Sequence, residues 1–500
     1  MSLSSHPLPL LSKSRFLAGL QCPLRLWYQC YEPGLAGEIS PVKQALFDTG
    51  HSVGRLATRL YPGGILIEED YRHHDRAVNT TATSMHNPNV KALYEAAFLF
   101  DGVRVRVDIL ERDGAGSWNM IEVKSSTSVK KIYFSDVALQ YYVLNGCGVT
   151  ISTSGILHLN NQYVYDGHEL DLDSLFAFSD LSEQVVDLQT DVAALLNDFN
   201  TMLAAEHAPD TKPSRHCMRP YLCEFWDHCT RNMPEFWVLN LNGISQEHLN
   251  QLALMNVEDI RDIPDSFPLT AIQQRIQKSV SSRKEYIHPM LESELNDVIY
   301  PVHFLDFETM GSAIPRYCGT KTYQALPFQW SNHILHEDGR LEHQEYLCVE
   351  DKDPRDDFSR SLLESLGKNG TIFIYTAYEK GIIRQLAEHL PADQDQLLGT
   401  LNRFKDLCDI IRRYYYHPKF YGSFSLKSVL PALRPEMSYE NLAIREGNQA
   451  ALEYARMIDP ATPTTAKKKI RQGLLIYCGQ DTLAMVKIRD ELLRRISVSN

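Results

Sequence analysis

Four kinds of side chain in this sequence (carboxylate, lysine, tyrosine and cysteine) stand at spacings that can do chemistry. In WNMIEVK, Glu122 and Lys124 stand two apart, and in VHFLDFETM so do Asp306 and Glu308. Alternate residues of an extended strand project from one face, so each pair is aimed into one place. Asp108 closes VRVRVD, is separated from the WNMIEVK stretch by the polar segment ERDGAGS, and can reach Glu122 across a hairpin. Two carboxylates hold a divalent cation through hard oxygen ligands. A lysine beside them can orient or activate water, which completes the set needed for metal-assisted phosphodiester hydrolysis. A solvated charged strand would show the same Glu-x-Lys pattern. Asp306 and Glu308 fit that blander account less well, because acids on an apolar strand are costly to bury unless they bind something. Tyr477 and Asp481, four apart in YCGQDTLAM, would share one face of a helix. Cys217, Cys223 and Cys229 follow one another with five residues between neighbours, interleaved with Tyr221, Phe225 and Trp226. Three thiolates bind a soft metal, and a metal cluster needs a fourth ligand.

The elements that must position these groups follow from hydrophobic period. Val103, Val105 and Val107 alternate with Arg104, Arg106 and Asp108, and WNMIEV follows the turn, so 103–126 reads as a β-hairpin. Phe16, Leu17, Leu20, Leu24 and Trp27 recur at helical spacing in SKSRFLAGLQCPLRLWYQCYEP, one amphipathic helix with Cys22 inside it. ALFDTGHSVGRLATRLYPGG reads as a second helix, carrying His51 and stopped by Pro-Gly-Gly. A further helix, KKIYFSDVALQYYVLNGCGV, carries Gln140 and Tyr141. Beyond residue 300 a strand bearing Asp306 and Glu308 is followed by TIFIYTAYEKGIIRQLA, a buried strand, a turn and a helix. Between the halves, residues 235–295 read as a helical connector with a turn pattern similar to helix-hairpin-helix modules.

The order Asp108, hairpin, Glu122-Val-Lys124 and then a helix with Gln140 resembles the RecB-type branch of the PD-(D/E)XK nucleases. The resemblance covers roughly the first 230 residues. It implies that Asp108, Glu122 and Lys124 are catalytic, that His51 is an additional metal ligand, and that Gln140 positions substrate or the lysine. Iron–sulfur members of this branch, the CRISPR adaptation nucleases among them, take a fourth cysteine from the N-terminal helix. Cys22 in LQCPLRLWY matches that place, which implies a [4Fe–4S] cluster on Cys22, Cys217, Cys223 and Cys229 that clips together the two ends of the domain. Zinc is the alternative, with His216 or His228 available, although the spacing departs from the close pairs of structural zinc sites.

Asp306-x-Glu308-Thr resembles the first motif of the DEDD exonucleases, the DnaQ-like group with the RNase H fold, and Tyr477 with Asp481 resembles their Y-x-x-x-D motif. The group holds two metal ions on four carboxylates for in-line attack by water, and the tyrosine orients that water. The middle motif departs from the pattern: Glu379 stands where the group has aspartate, with Asp406 or Asp409 in FKDLCDIIRRYYYH as the alternative. From HFLDFETM to YCGQDTLAM the chain resembles an uncharacterised bacterial family that joins the two nuclease halves. The aromatic and basic segment RRYYYHPKFYGSFSLK suits either stacking on a single strand or a packed core.

The expected architecture is therefore multidomain α/β. It comprises a restriction-endonuclease-like domain (1–234), the connector (235–295) and an RNase-H-like domain (296–500). The implied function is a Mg²⁺- or Mn²⁺-dependent nuclease acting on DNA, with RNA as the alternative substrate or a binding scaffold as the alternative role. Five hundred residues exceed one core. A net charge of −13 argues against coating nucleic acid by bulk charge, while leaving room for a local basic channel. No stretch of about 18 apolar residues is present to span a membrane, and MSLSSHPLPLLSKSRF lacks a secretory pattern. Ten cysteines in such a chain suggest thiols or metal ligands before disulfides, and the expected compartment is the cytoplasm.

Overall fold

The period-2 run of valines does build a strand, and the site is set by where its neighbours stop. The computed structural model describes residues 8–114 and 116–499; the opening residues 1–7, part of the stretch read for a secretory pattern, lie outside it. The fold is mixed α/β and divides into two compact units: residues 1–232 with Ser312–Tyr323, and Met233–Gly311 with 324–500. Residues 235–295, expected to be a separate connector, thus group with the second unit. No described helix is long and apolar enough to cross a membrane.

The first unit holds a seven-stranded sheet. Its strands are β1 (Leu11–Ser12), β2 (Ile65–Leu66), β3 (Ala92–Phe100), β4 (Val103–Arg112), β5 (Trp118–Lys124), β6 (Ile151–Leu159) and β7 (Phe176–Asp180). They run in the order β2-β3-β4-β5-β6-β7, with β1 pairing in parallel with the start of β4. Along β4 the sheet forks. Leu11 and Ser12 pair with Val103 and Arg104, whereas β5 pairs only with the far end, Ile109↔Ile121 to Arg112↔Trp118. The fork leaves room for side chains between the two partners. Val105, Val107 and Leu110 pack with Val137, Leu139 and Leu144 of the helix Lys131–Gly146, while Ile109 and Ile121 pack with Val53 and Ala57 of the helix Pro41–Ala57.

The N-terminal segment is two helices rather than one. Lys13–Gln21 ends at Cys22, and Pro23 starts Pro23–Tyr31. Proline pushes the residue before it out of the helical region, and Cys22 is extended at φ −163°, ψ 121°. Cys22 therefore lies at a break, not inside a helix. Ser312–Tyr323 packs on this unit as a strap: Tyr165 N donates to Thr320 O, Gly319 N to Tyr165 O, and Ala313 joins the core beside Tyr163 and Leu175.

The second unit contains β8 (Tyr286–Ile287), β9 (Val302–Met310), β10 (Leu326–Leu335), β11 (Leu341–Leu347), β12 (Ile372–Ile374), β13 (Phe404–Asp406) and β14 (Tyr415–Tyr416). Five of them form a sheet in the order β11-β10-β9-β12-β13. The first three are antiparallel neighbours, and β12 and β13 run parallel to β9. Leu305 and Phe307 of β9 pack with Phe358, Leu362, Ile382 and Ile383 on one face. By alternation Asp306 and Glu308 face the other way, where the long helix Thr464–Ser499 lies: Gln329 Nε2 on β10 donates to Leu474 O, and Cys478 Sγ stands 3.8 Å from Asp306. The aromatic segment around Tyr415 is core, not an open stacking surface. Tyr415, Tyr416 and Phe420 are fully buried and pack with Phe424.

Candidate active sites and thiol pocket

In the first unit the fork in the sheet becomes the site. The β4–β5 ladder stops at Ile109↔Ile121, and the next free amide, Val123 N, donates instead to Asp108 Oδ2 at 2.7 Å. Asp108 is thereby drawn towards Glu122. Lys13, the residue immediately after β1, enters the same fork and donates to Glu122 Oε1 at 2.7 Å, and Lys124 Nζ donates to that oxygen at 2.6 Å. Lys124 Nζ also donates to Asp136 Oδ2 at 2.6 Å, and Gln140 Nε2 bridges Glu122 Oε2 (2.8 Å) and Asp136 Oδ1 (3.2 Å). Lys13 and Asp136 were missed by sequence reasoning. Asp136 left a signal, since it stands four before Gln140 and so shares its helix face. Lys13 left none, because only the pairing of β1 brings it here.

The charges sort the two carboxylates. Burial alone would raise Glu122, but Lys124 and Lys13 outweigh it and hold that carboxyl well below its usual range. Burial, then the charge of Glu122, pushes Asp108 up to about 7. Against burial, Asp136, Glu122 and Asp108 hold the Lys13 ammonium above its ordinary value. Asp108 and Glu122 offer hard oxygens to a divalent ion, but Lys13 already sits on Glu122 Oε1 and would have to swing aside. Its side chain is 27% exposed, so it has the room. His51 is exposed on the helix Pro41–Ala57, and its ring does not close a three-ligand group with Asp108 and Glu122 among the described residues.

Cys22, Cys217, Cys223 and Cys229 line one pocket, together with Tyr28, His216 and Phe225. All four are free thiols, and burial raises the thiols of Cys217, Cys223 and Cys229. Thiolates on one zinc would lie about 3.8 Å apart, the edge of a tetrahedron of 2.3 Å bonds. Among the described residues no three of these sulfurs come within 4.8 Å of one another. Four thiols on one pocket are a donor set that suits zinc or an iron–sulfur cluster alike.

The second unit brings four acids together from three elements. Asp306 and Glu308 come from β9, Glu379 from the first turn of the helix Tyr378–His389, and Asp481 from the helix Thr464–Ser499. Glu308, Glu379 and Asp481 are all buried. Burial, then the charges of Asp481, Glu308 and Glu379, raises Asp306 well above the carboxylate range. Burial, then Asp481, raises Glu308 to about 8, and burial raises Glu379 to about 8. Asp481 is lifted by burial to about 6, with Tyr439, Lys427 and Tyr477 pulling it back. Glu379 Oε2 is buried without a hydrogen-bond partner. Four mutually repelling carboxyls and an orphaned oxygen are the environment a multivalent cation relieves.

Glu379 rather than Asp406 joins this cluster. Asp406 caps the helix Leu407–Tyr414, its Oδ1 accepting from Asp409 N (3.0 Å) and Thr376 N (3.2 Å). Thr376 is held at φ 87°, a strained turn that delivers Glu379 to the site. Tyr439 donates to Asp481, and Lys427 Nζ lies 3.3 Å from Tyr477 Oη; neither Tyr439 nor Lys427 was singled out from sequence. Cys478 Sγ lies 3.8 Å from Asp306 Oδ2 and groups with Asp306 and Glu308. Burial and those carboxylates keep it a thiol, a poor ligand for a hard cation.

Comparison with known proteins adds a family match on part of the second unit. A model described as a domain of unknown function (DUF2779) matches residues 303–425, a span that contains Asp306, Glu308 and Glu379 and ends before Tyr477. No curated protein matches the chain. Among solved structures, one titled "Crystal structure of SSO0001" is similar at 13% identity over 45% of this chain and 87% of that chain, with a TM-score of 0.22.

Proposed function

We propose that this protein is a metal-dependent nuclease acting on DNA, with a phosphodiester-hydrolysing site in each unit, in DNA repair, processing or defence. The observation that carries the reading is the buried cluster of Asp306, Glu308, Glu379 and Asp481, whose carboxyls resist ionisation without a cation. The strand order β11-β10-β9-β12-β13, antiparallel then parallel, supports an RNase-H-like fold for the second unit, from about residue 296 onward. The forked sheet with Asp108, Glu122 and Lys124 supports a restriction-endonuclease-like domain over about residues 1–234, the main part of the first unit.

In the second site Asp306, Glu308 and Asp481 would hold Mg²⁺ or Mn²⁺, with Glu379 completing the set. The ions supply charge neutralisation at the phosphate and an acidified water. Tyr477, with Lys427 beside its hydroxyl, is placed to orient that water, and Tyr439 fixes the rotamer of Asp481. In the first site Asp108 and Glu122 would hold the ion, with His51 as an outer ligand once the helix Pro41–Ala57 adjusts. Lys124, steadied by Asp136, is placed to hold the scissile phosphate or its attacking water, and Gln140 fixes Glu122. Cys22, Cys217, Cys223 and Cys229 would hold a [4Fe–4S] cluster that joins the N-terminal break to the 217–229 segment. Ten free thiols suit a cytoplasmic setting.

The test is digestion of end-labelled single- and double-stranded DNA and RNA with Mn²⁺ by wild type, Glu122→Ala and Asp306→Ala. The proposal expects two separable activities, each removed by one substitution. Wild type that degrades no nucleic acid would overturn it in favour of a binding scaffold, and activity confined to RNA would overturn the assignment of DNA.

A further inference from the structure

The mouth of the first site carries a group of aromatic side chains that the hydrolytic reading does not use. Tyr133 lies in the first turn of the helix that carries Asp136 and Gln140, and its ring lies 5.2 Å from Lys124 Nζ. Lys130 Nζ lies 5.9 Å from the Tyr133 ring and 5.9 Å from the ring of Tyr221. Tyr323, at the end of the strap, donates through Oη to the carbonyl of Ser125 at 2.6 Å, one residue after Lys124. Tyr133 and Lys130 are therefore near neighbours of both Tyr221 and Tyr323. Three segments remote in sequence thus meet around one exposed ammonium, next to the residues that face a scissile phosphate.

These rings are anchored while Tyr221 and Tyr323 stay exposed. Tyr221 is 55% exposed and Tyr323 41% exposed, whereas Tyr133 is buried and forms the floor. The backbone at Tyr221 is fixed by Gln21 Nε2, which donates to Tyr221 O at 2.9 Å, and its segment is bounded by the thiol pocket. Tyr323 is held at φ 54°, a left-handed conformation that tyrosine rarely adopts, with Tyr323 N donating to Ser312 O and Thr322 Oγ1 to Asn160 O. Backbone strain that the surroundings hold at an exposed ring next to a reactive site is a mark of function. Two exposed phenol rings beside a cation complement a group that is flat, aromatic and anionic. A nucleotide of an unpaired strand is that group: its base stacks on tyrosine and its phosphate meets the ammonium. A base inside a duplex hides both faces in the stack and does not fit.

We propose that Tyr221 and Tyr323 form a stacking clamp, floored by Tyr133 and charged by Lys130, that holds an unpaired nucleobase beside Lys124 and so selects single-stranded or splayed DNA for the first site. The inference rests on the hydrolytic reading of that site and names its substrate class. Binding is measured with EDTA present, by fluorescence anisotropy of a labelled oligothymidylate, its abasic counterpart and a duplex of the same length. Tyr221→Ala and Tyr323→Ala should each weaken binding of the single strand about 5- to 150-fold, the range of one lost base–aromatic stack, and leave the duplex unchanged. Tyr323→Phe keeps the ring and should stay within about twofold. The abasic strand should bind wild type weakly, a comparison that stands even if a variant fails to fold. Unchanged single-strand binding in the double alanine variant, equal loss for single strand and duplex, or abasic binding as tight as the normal strand would each overturn the clamp. Mn²⁺-dependent cleavage by wild type, absent in Glu122→Ala, is read separately. Tyrosine-dependent binding without cleavage would sink the hydrolytic reading alone, and cleavage without tyrosine-dependent binding would sink the clamp alone.

Discussion

In an Asp108→Asn variant, where only the second carboxylate set takes up Mn²⁺, affinity for the ion should rise steeply with pH. Glu308 and Glu379 are held near 8 and Asp481 near 6, and Asp306 is held higher than the ordinary range. Near neutrality Asp306, Glu308 and Glu379 therefore retain protons that a divalent ion must displace, while Asp481 is mostly ionised. Each displaced proton changes affinity tenfold per pH unit, about 1.4 kcal/mol. With one to two protons displaced between pH 6 and pH 8, the dissociation constant should fall about 100- to 10,000-fold. The same groups set the stability of the metal-free protein. Their folded values lie above those of the unfolded chain, so below about pH 4 both states are protonated and no difference remains. From there to about pH 8 the unfolded chain binds fewer protons than the folded one, so stability falls as pH rises. Mn²⁺ should restore more melting temperature at pH 8 than at pH 6. Titration calorimetry in two buffers of different ionisation enthalpy counts the released protons. Affinity that is flat from pH 6 to 8, with no proton release, would refute the reasoning.

Three further outcomes follow from the same structure. Lys13→Met should tighten Mn²⁺ at the first site by about tenfold, because it removes a competing ammonium from Glu122 Oε1; weaker binding by titration would show that Lys13 supports the ion instead. Cys22→Ser should abolish iron and acid-labile sulfide in anaerobically purified protein and lower the melting temperature, whereas stoichiometric zinc in the wild type would rule out the cluster. Gly422→Ala should destabilise on the order of 3 kcal/mol in chemical denaturation or prevent folding altogether. Gly422 has φ +77°, and a Cβ there would stand 1.4 Å from Asn240 O; a melting temperature equal to wild type would contradict that packing.

Period-2 and helical spacing carried much of the candidate chemistry. Glu122 and Lys124 do meet, and Asp306, Glu308 and Asp481 do share a cluster, because strand and helix periods fix which side chains point together. What stayed hidden depends on long-range pairing or on breaks in local pattern. Lys13 reaches Glu122 only because β1 lies on β4 beside the fork. Pro23 was visible, yet the helical run on both sides of Cys22 masked the break it makes. The YYY segment has the composition of a stacking surface, but Tyr415 and Tyr416 are covered on all sides, and composition does not report burial. Asp406 is drawn away from the cluster by capping the helix Leu407–Tyr414, a role that local sequence does not distinguish from that of Glu379. The strap Ser312–Tyr323 leaves the second unit between two of its neighbouring strands, a detour without any local sequence mark.

The central claim is that each unit gathers carboxylates to hold a catalytic divalent ion. The most direct measurement is anomalous diffraction from crystals of the full chain soaked in Mn²⁺ near pH 8. The account predicts density bounded by Asp306, Glu308 and Asp481 in the second unit, and by Asp108 and Glu122 in the first with Lys13 displaced. Mn²⁺ absent from both carboxylate sets, with Lys13 still seated on Glu122, would contradict it.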